Sequence, residues 1–237
     1  MEWGGGIALR GLLLLCGLLG VLVFGWLASR NISSRRQVSE APALTINKQP
    51  VAFANHTFAP ATPPPEMPPL NPGETAECDS NFVSSASVHA DSRQTDPRHA
   101  TVTITQIKVT LQLHINIWVP TGATEQLSEH EEGHRQISEY YYQTADKVAE
   151  RIAATYIGRR VEITGTDLGA ESTKVLQQMA SEITGEYNRE LNPGPTQLLY
   201  DDITDHGRND VVVKDAVAHA LKNAMIESTQ STTNPGN

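Results

Sequence analysis

The sequence is poor in three things, and each absence narrows what the chain can be. It has two cysteines in 237 residues. Cys16 lies inside an apolar run and Cys78 at the end of a Pro-rich stretch. They are badly placed to pair, so no internal disulfide framework is expected, and neither spacing resembles a zinc knuckle. Aromatic residues make up 5% of the chain, so any core must be built mainly from aliphatic side chains. Basic residues are outnumbered, 18 Lys and Arg against 27 Asp and Glu, giving a net charge of −9. No basic block offsets this. Phosphate backbones are bound by a concentrated Lys/Arg face, so nucleic acid is not an expected partner.

What is present divides the chain into three parts. Gly11–Ala28 reads GLLLLCGLLGVLVFGWLA, 18 residues without a charge. That is the short end of what spans a bilayer. The run exceeds a signal-peptide core, no small-x-small cleavage site follows it, and Trp26 stands where an interfacial aromatic belongs. Residues 1–30 are therefore expected to form an N-terminal transmembrane signal-anchor. Residues 31–77 carry APATPPPEMPPLNPGE and read as a stiff, extended Pro-rich linker, with a short β segment near Pro50–Ala54 as a possible outlier. Residues 78–237 read as one folded domain, long enough to bury about 70% of its unfolded surface.

Within that domain, Thr101–Ile107 and Val109–Val119 read as two strands. In the second, Val109, Leu111, Leu113, Ile115, Ile117 and Val119 alternate with Thr110, Gln112, His114, Asn116 and Trp118, giving one apolar face and one polar face. Pro120-Thr-Gly ends it. A helix follows, starting at Ser128 with Glu131 as a capping box, or one turn earlier at Thr124, and running to Gly158. A short strand at Arg160–Thr164 and helices at about 172–191 and 209–226 complete the reading. The segment 198–210, between Asn-Pro-Gly-Pro and the last helix, reads as an acidic loop.

The chemistry is concentrated in SEHEEGHRQISEYYY, Ser128 to Tyr142. On a helical wheel of about 100° per residue, His130 and His134 share one stripe with Ile137, Tyr141, Ala145, Val148 and Ile152. Both histidines then face the interior, one turn apart. Side chains at i and i+4 are neighbours, so two imidazoles there can share one Zn²⁺. Glu131 falls on the shoulder of the stripe, beside such an ion and not on it, where it can act as a base toward the attacking water. Glu139 lies on the opposite face and is excluded as a ligand. The alternative for His130 and His134 is two polar residues on a core helix, satisfied by hydrogen bonds.

A catalytic zinc needs a third protein ligand and an open position. Glu182, Glu186 and Glu190 recur every four residues on a later helix, a pattern more typical of a solvated face. LLYDDITDHGRND, residues 198 to 210, is richer in metal-competent groups. From it, His206 is the first candidate for third ligand, with Asp202 or Asp205 next. Tyr200, and behind it Tyr187 or His114, are candidates to donate to an oxyanion. Asp201, Asp202 or Asp205 could orient a ligand histidine.

Two motifs carry a family resemblance. His130–His134, HEEGH, fits an H-E-x-G-H form, and Tyr200–Gly207, YDDITDHG, fits Y-D-x-x-T-x-H-G. In residues, order and spacing the chain resembles bacterial predicted secreted zinc-dependent proteases, a domain family of otherwise unknown function, over roughly residues 78 to 227. The resemblance implies an α+β, zincin-like metallopeptidase domain with a small sheet over an HExxH helix. It implies Zn²⁺ as cofactor and His206 as third ligand. It also implies a domain held outside the cytoplasm, periplasmic or at the cell surface, and secreted if the N-terminal segment is cleaved. Arg30, Arg35 and Arg36 after the apolar run point the other way by the positive-inside rule.

The function expected is thus a membrane-anchored, extracytoplasmic zinc peptidase. His130, His134 and His206 hold the metal, Glu131 and Tyr200 act on the reaction, and the substrate is a protein or peptide docked on Val109–Val119 as a sheet edge. A zinc hydrolase acting on a cell-wall amide would use the same residues. The rival is a non-enzymatic, membrane-tethered envelope scaffold.

Overall fold

One long strand organises the fold. In the computed structural model, which describes residues 43–70 and 73–233, β1 spans Leu44–Lys48, β2 Ala52–Phe58, β3 Glu77–Asp96 and β4 His99–Pro120. After these come α1 (Glu125–Gln143), α2 (Ala145–Ala154), β5 (Arg160–Thr164), α3 (Leu168–Glu190), α4 (Gly194–Thr204) and α5 (Val213–Thr233). β3 pairs antiparallel with β4 along nearly its whole length. The other edge of β4 carries three short strands end to end. β5 is antiparallel against Thr103–His99, β1 parallel against Ile107–Leu111, and β2 parallel against His114–Pro120. The architecture is α+β with a five-stranded sheet.

The alternation read in the sequence is the alternation of this strand. Val109, Leu111, Leu113, Ile115 and Ile117 are buried, while His114 is exposed. The two expected strands are one, however. His89 pairs with Gln106 and Ala90 with Ile104, so Thr105 is a bulge on β4. A bulge adds one residue and reverses which parity faces inward. Val102 and Ile104 are buried before it, and Ile107 and Val109 after it. In sequence that parity change reads as a break.

The linker assignment 31–77 needs correction. β1 and β2 fall inside it, and both pair with β4. The described residues, from 43 onward, belong to one compact unit, so the folded part does not begin at Cys78. Within that span, Phe58 and Met67 are buried with Trp118 in a small cluster of their own, so the Pro-rich stretch packs at the domain's edge. The apolar run at residues 11–28 lies outside the described residues. Among those described, no helix is long and apolar enough to cross a membrane.

Helices cover one sheet face. Tyr142, Ala145, Ala149, Ile152 and Tyr156 from α1, α2 and the turn after it, with Met179, Ile183 and Tyr187 from α3, bury the β4 face in the main core. Each fully buried large aliphatic there contributes about 1.5–3 kcal/mol. The helix expected to run to Gly158 breaks at Thr144, which separates α1 from α2. On its other side α1 packs on α4 and α5, where Ile137, Tyr200, Ala216, Val217 and Ala220 form a second core. The two histidines of α1 lie beside this second core.

Candidate metal centre

α1 begins where the sequence allowed, at Thr124, whose side chain accepts the Leu127 amide at 3.2 Å. This cap fixes the helix one turn upstream of Ser128. His130 and Glu131 are buried, and His134 is nearly so.

The segment 198–210 is a loop only after Thr204. Residues 194–204 form α4, with Pro195 in its first turn, where a missing amide proton costs nothing. The helix sets Gln197, Tyr200, Asp201 and Thr204 on one face, spaced by three and four residues. After Thr204 the chain turns back through three left-handed residues, Asp205 (φ 47°), His206 (φ 54°) and Gly207 (φ 74°). Two non-glycine residues in this region each cost on the order of 1 kcal/mol. The turn drives Gly207 against the first histidine. A Cβ on Gly207 would lie 2.9 Å from His130 Cβ and Cγ.

α1 and α4 together bring three donor atoms to one point. His130 Nε2 and His134 Nε2 are 3.2 Å apart. Asp201 Oδ1 is 2.9 Å from His134 Nε2 and 3.3 Å from His130 Nε2. Among the described residues this is the cluster of His, Cys, Asp or Glu whose geometry could hold a metal ion. His206 stands outside it, half-exposed at the rim, with Nδ1 3.7 Å from Asp201 Oδ1. The carboxylate in the cluster is thus Asp201, which sequence reasoning placed only as an orienting group. The i+4 step from Gln197 to Asp201 was the available signal, hidden by reading the segment as a loop.

Tyr200 is not the free donor expected of an oxyanion group. It is fully buried and gives its hydroxyl proton to the His130 carbonyl at 3.1 Å. Its ring stacks on His130 with centroids 5.1 Å apart and stands edge-on to His134 at 4.8 Å. It supports both histidines from beneath. Its phenol also explains Gly133, since a Cβ there would fall 2.1 Å from the Tyr200 oxygen. The other candidates lie elsewhere. Tyr187 is in the main core, and His114 is exposed beside Gln112. Asp202 is exposed, and Asp205 pairs with Arg208. Glu139 is paired with Arg135, Glu186 accepts from Tyr156, and Glu190 is paired with Arg151.

The cluster lies in the wall of a cleft of about 1140 Å³ that also holds Glu131, His206 and the start of β3, Glu77–Ser80. β3 has β4 on one edge and no strand on the other among the described strands. β4 has partners on both edges, so the expectation that Val109–Val119 is the docking edge fails. The free edge beside the cluster is β3.

The titratable groups of the cleft are shifted by burial and by one another. Burial pushes the Glu131 carboxyl up to about 8, with Glu77 and Asp201 adding to this and His134 opposing it. Burial and the neighbouring Glu74 raise Glu77 to about 7. Burial would also raise Asp201, but its hydrogen bonds with His130 and His134 hold it well below the usual carboxylate range. Burial lowers His130, with Asp201 pulling the other way. Burial acts to lower His134 too, but there the bond to Asp201 wins and its pKa is raised. Cys78, also in the cleft, is pushed by burial to about 12 and stays a thiol.

Comparison with known proteins adds no relative. No family model, curated protein or solved structure matches this chain.

Proposed function

We propose that this chain is a zinc-dependent peptidase with a zincin-like site, in which His130, His134 and Asp201 hold the metal. One observation carries the reading. A tetrahedron with arms of 2.0–2.1 Å has corners about 3.3–3.4 Å apart. The three donor atoms stand 2.9, 3.2 and 3.3 Å from one another. Two imidazole nitrogens and one carboxylate oxygen form a borderline donor set, suited to zinc and not to calcium or magnesium, which favour oxygen alone. Three protein ligands leave a position open to substrate and water, as a catalytic site requires. The HEEGH and YDDITDHG motifs, and the family resemblance they carry, support a zinc peptidase, although the resemblance implies His206 as third ligand. In the reading proposed, Asp201 takes that place.

When bound, the metal would polarise the scissile carbonyl and acidify the attacking water. The remaining roles belong to the chain. Glu131, buried beside the cluster, takes the proton from that water and returns it to the leaving amine. Burial alone would keep it protonated near neutral pH, and a divalent charge next to it favours the carboxylate. His206, on the cleft rim, is the ring placed to donate to the oxyanion, since Tyr200 is committed to His130. An extended peptide adding to the free edge of β3 at Glu77–Ser80 would run past the cluster. The N-terminal apolar run would tether this activity to a membrane, with the domain outside the cytoplasm.

The test is metal content and hydrolysis measured together. The wild type should carry one zinc per chain and cleave an unstructured protein such as casein. Glu131→Gln should keep the zinc and lose cleavage. A non-catalytic scaffold would be indifferent to that substitution, and a cell-wall amidase would cleave peptidoglycan fragments in place of casein.

A further inference from the structure

We infer that Gln197 and Thr204 are positioning residues that fix which ring nitrogen each histidine turns toward Asp201. Gln197 Oε1 lies 2.6 Å from His134 Nδ1. The Gln197 amide nitrogen donates to the His134 carbonyl at 3.1 Å and to Ser138 Oγ at 2.9 Å. Ser138, fully buried, passes its own hydroxyl proton to Ser80 Oγ at 2.8 Å, so it accepts from Gln197. An amide has its donors on nitrogen only. Turning it over would set its oxygen against the His134 carbonyl. Gln197 Oε1 therefore accepts, and the proton sits on His134 Nδ1.

The same accounting holds for His130. Thr204 Oγ1 gives its single proton to the Tyr200 carbonyl at 2.8 Å. What it offers His130 Nδ1, 3.2 Å away and buried, is a lone pair. His130 Nδ1 is then also the protonated nitrogen. A hydrogen bond at one ring nitrogen decides what the other can do. With both Nδ1 atoms engaged outward, both Nε2 atoms face Asp201, and a proton shared there with its carboxylate is the one a metal ion would displace. The protein backbone and its polar side chains thus set the donor atoms before any ion arrives. The inference depends on the metal-peptidase reading for its consequence, but not for its hydrogen-bond geometry. It also gives the threonine of YDDITDHG a role, and adds Gln197, which lies outside both motifs.

The experiment is nitrogen-15 NMR of the histidine rings in the full chain, first without metal and then titrated with zinc against a competing chelator. The wild type should show a protonated Nδ1 on both His130 and His134. Thr204→Val and Gln197→Met, which keep shape and remove the acceptor, should scramble the corresponding ring signal and weaken zinc binding 10- to 100-fold. Thr204→Ser and Gln197→Glu, which restore an acceptor, should restore the ring signature. A bare Nδ1 on either ring of the wild type overturns the inference, and that spectrum decides the matter even if a variant fails to fold. Unchanged ring signals and zinc affinity in Thr204→Val and Gln197→Met overturn it as well. A wild type that takes up no zinc sinks the metal reading instead, while its ring spectrum still tests the positioning.

Discussion

Replacing Gly133 by alanine should destabilise this protein, although the substitution normally favours a helix. Alanine is better than glycine in a helix interior by about 0.8–1 kcal/mol. Gly133 lies within α1, so propensity alone predicts a gain. The packing predicts the reverse. The new Cβ would lie 2.1 Å from the Tyr200 oxygen and 2.4 Å from its Cζ, roughly 1 Å inside contact distance. Tyr200 has no exposed surface to retreat into, and its ring is held against both histidines. Overpacking of this kind costs about 1–3 kcal/mol, and losing the bond to the His130 carbonyl costs about 1 more. Set against the propensity gain, the net loss is about 1–3 kcal/mol, or a Tm lowered by about 2–12 °C. Any shift of α4 also carries Asp201 away from the histidines, so zinc content should fall. Thermal melts of the metal-free chain and metal analysis read the two effects separately. Tyr200→Phe should cost about 1 kcal/mol in the wild type and nearly nothing in the Gly133→Ala background, a coupling that a double-mutant cycle resolves. A Gly133→Ala protein with a raised Tm and full zinc would refute the claim that the tyrosine is what requires glycine there.

Other substitutions probe the remaining assignments. Asp201→Asn should strip the zinc, while His206→Ala should keep it and lower kcat by about 10²–10³, the usual loss for one oxyanion donor; metal analysis with the opposite pattern would return the ligand role to His206. Glu131→Gln should raise the Tm of the metal-free chain by a margin that depends on pH. An acid whose folded pKa is raised, here from 4.5 to about 8, binds its proton more tightly when folded. Stability therefore falls as pH rises across that window and is level above it, with an upper bound of about 5 kcal/mol. The gap between Glu131→Gln and wild type should be absent near pH 4, widen up to pH 8 and then hold; a constant gap would contradict the assignment. Cys78, with its thiol pushed to about 12, should react with maleimide far more slowly at pH 7 than an ordinary thiol.

Local features were legible in the sequence, and distant ones were not. The helix bearing His130 and His134, and the inward turn of both rings, follow from spacing within a few residues. The alternation of Val109 to Ile117 is equally local. The bulge at Thr105 was not legible, because a parity change looks the same as a strand end. β1 was hidden for another reason, and of β2 only a short segment near Pro50–Ala54 was read. They are short, set among prolines, and owe their existence to pairing with β4 far along the chain. α4 was missed because Pro-Gly-Pro reads as a breaker, although proline in a first turn is permitted. Reading the segment as a loop, together with the family resemblance, put His206 first and left Asp201, which stands in the cluster with His130 and His134, as an orienting group. Gln197 and Thr204 needed the relative placement of two helices and could not be read at all.

The two motifs are joined like a mortise and tenon, in both directions. Gly133 of the first leaves the hollow that the phenol of the second fills, and Gly207 of the second leaves the hollow against which the first imidazole rests. Neither segment can drift in sequence or position without the other's ring losing its seat. A side chain placed at either glycine would unseat the ring packed there, so the pair of motifs, and not the histidines alone, is the unit that holds the site together.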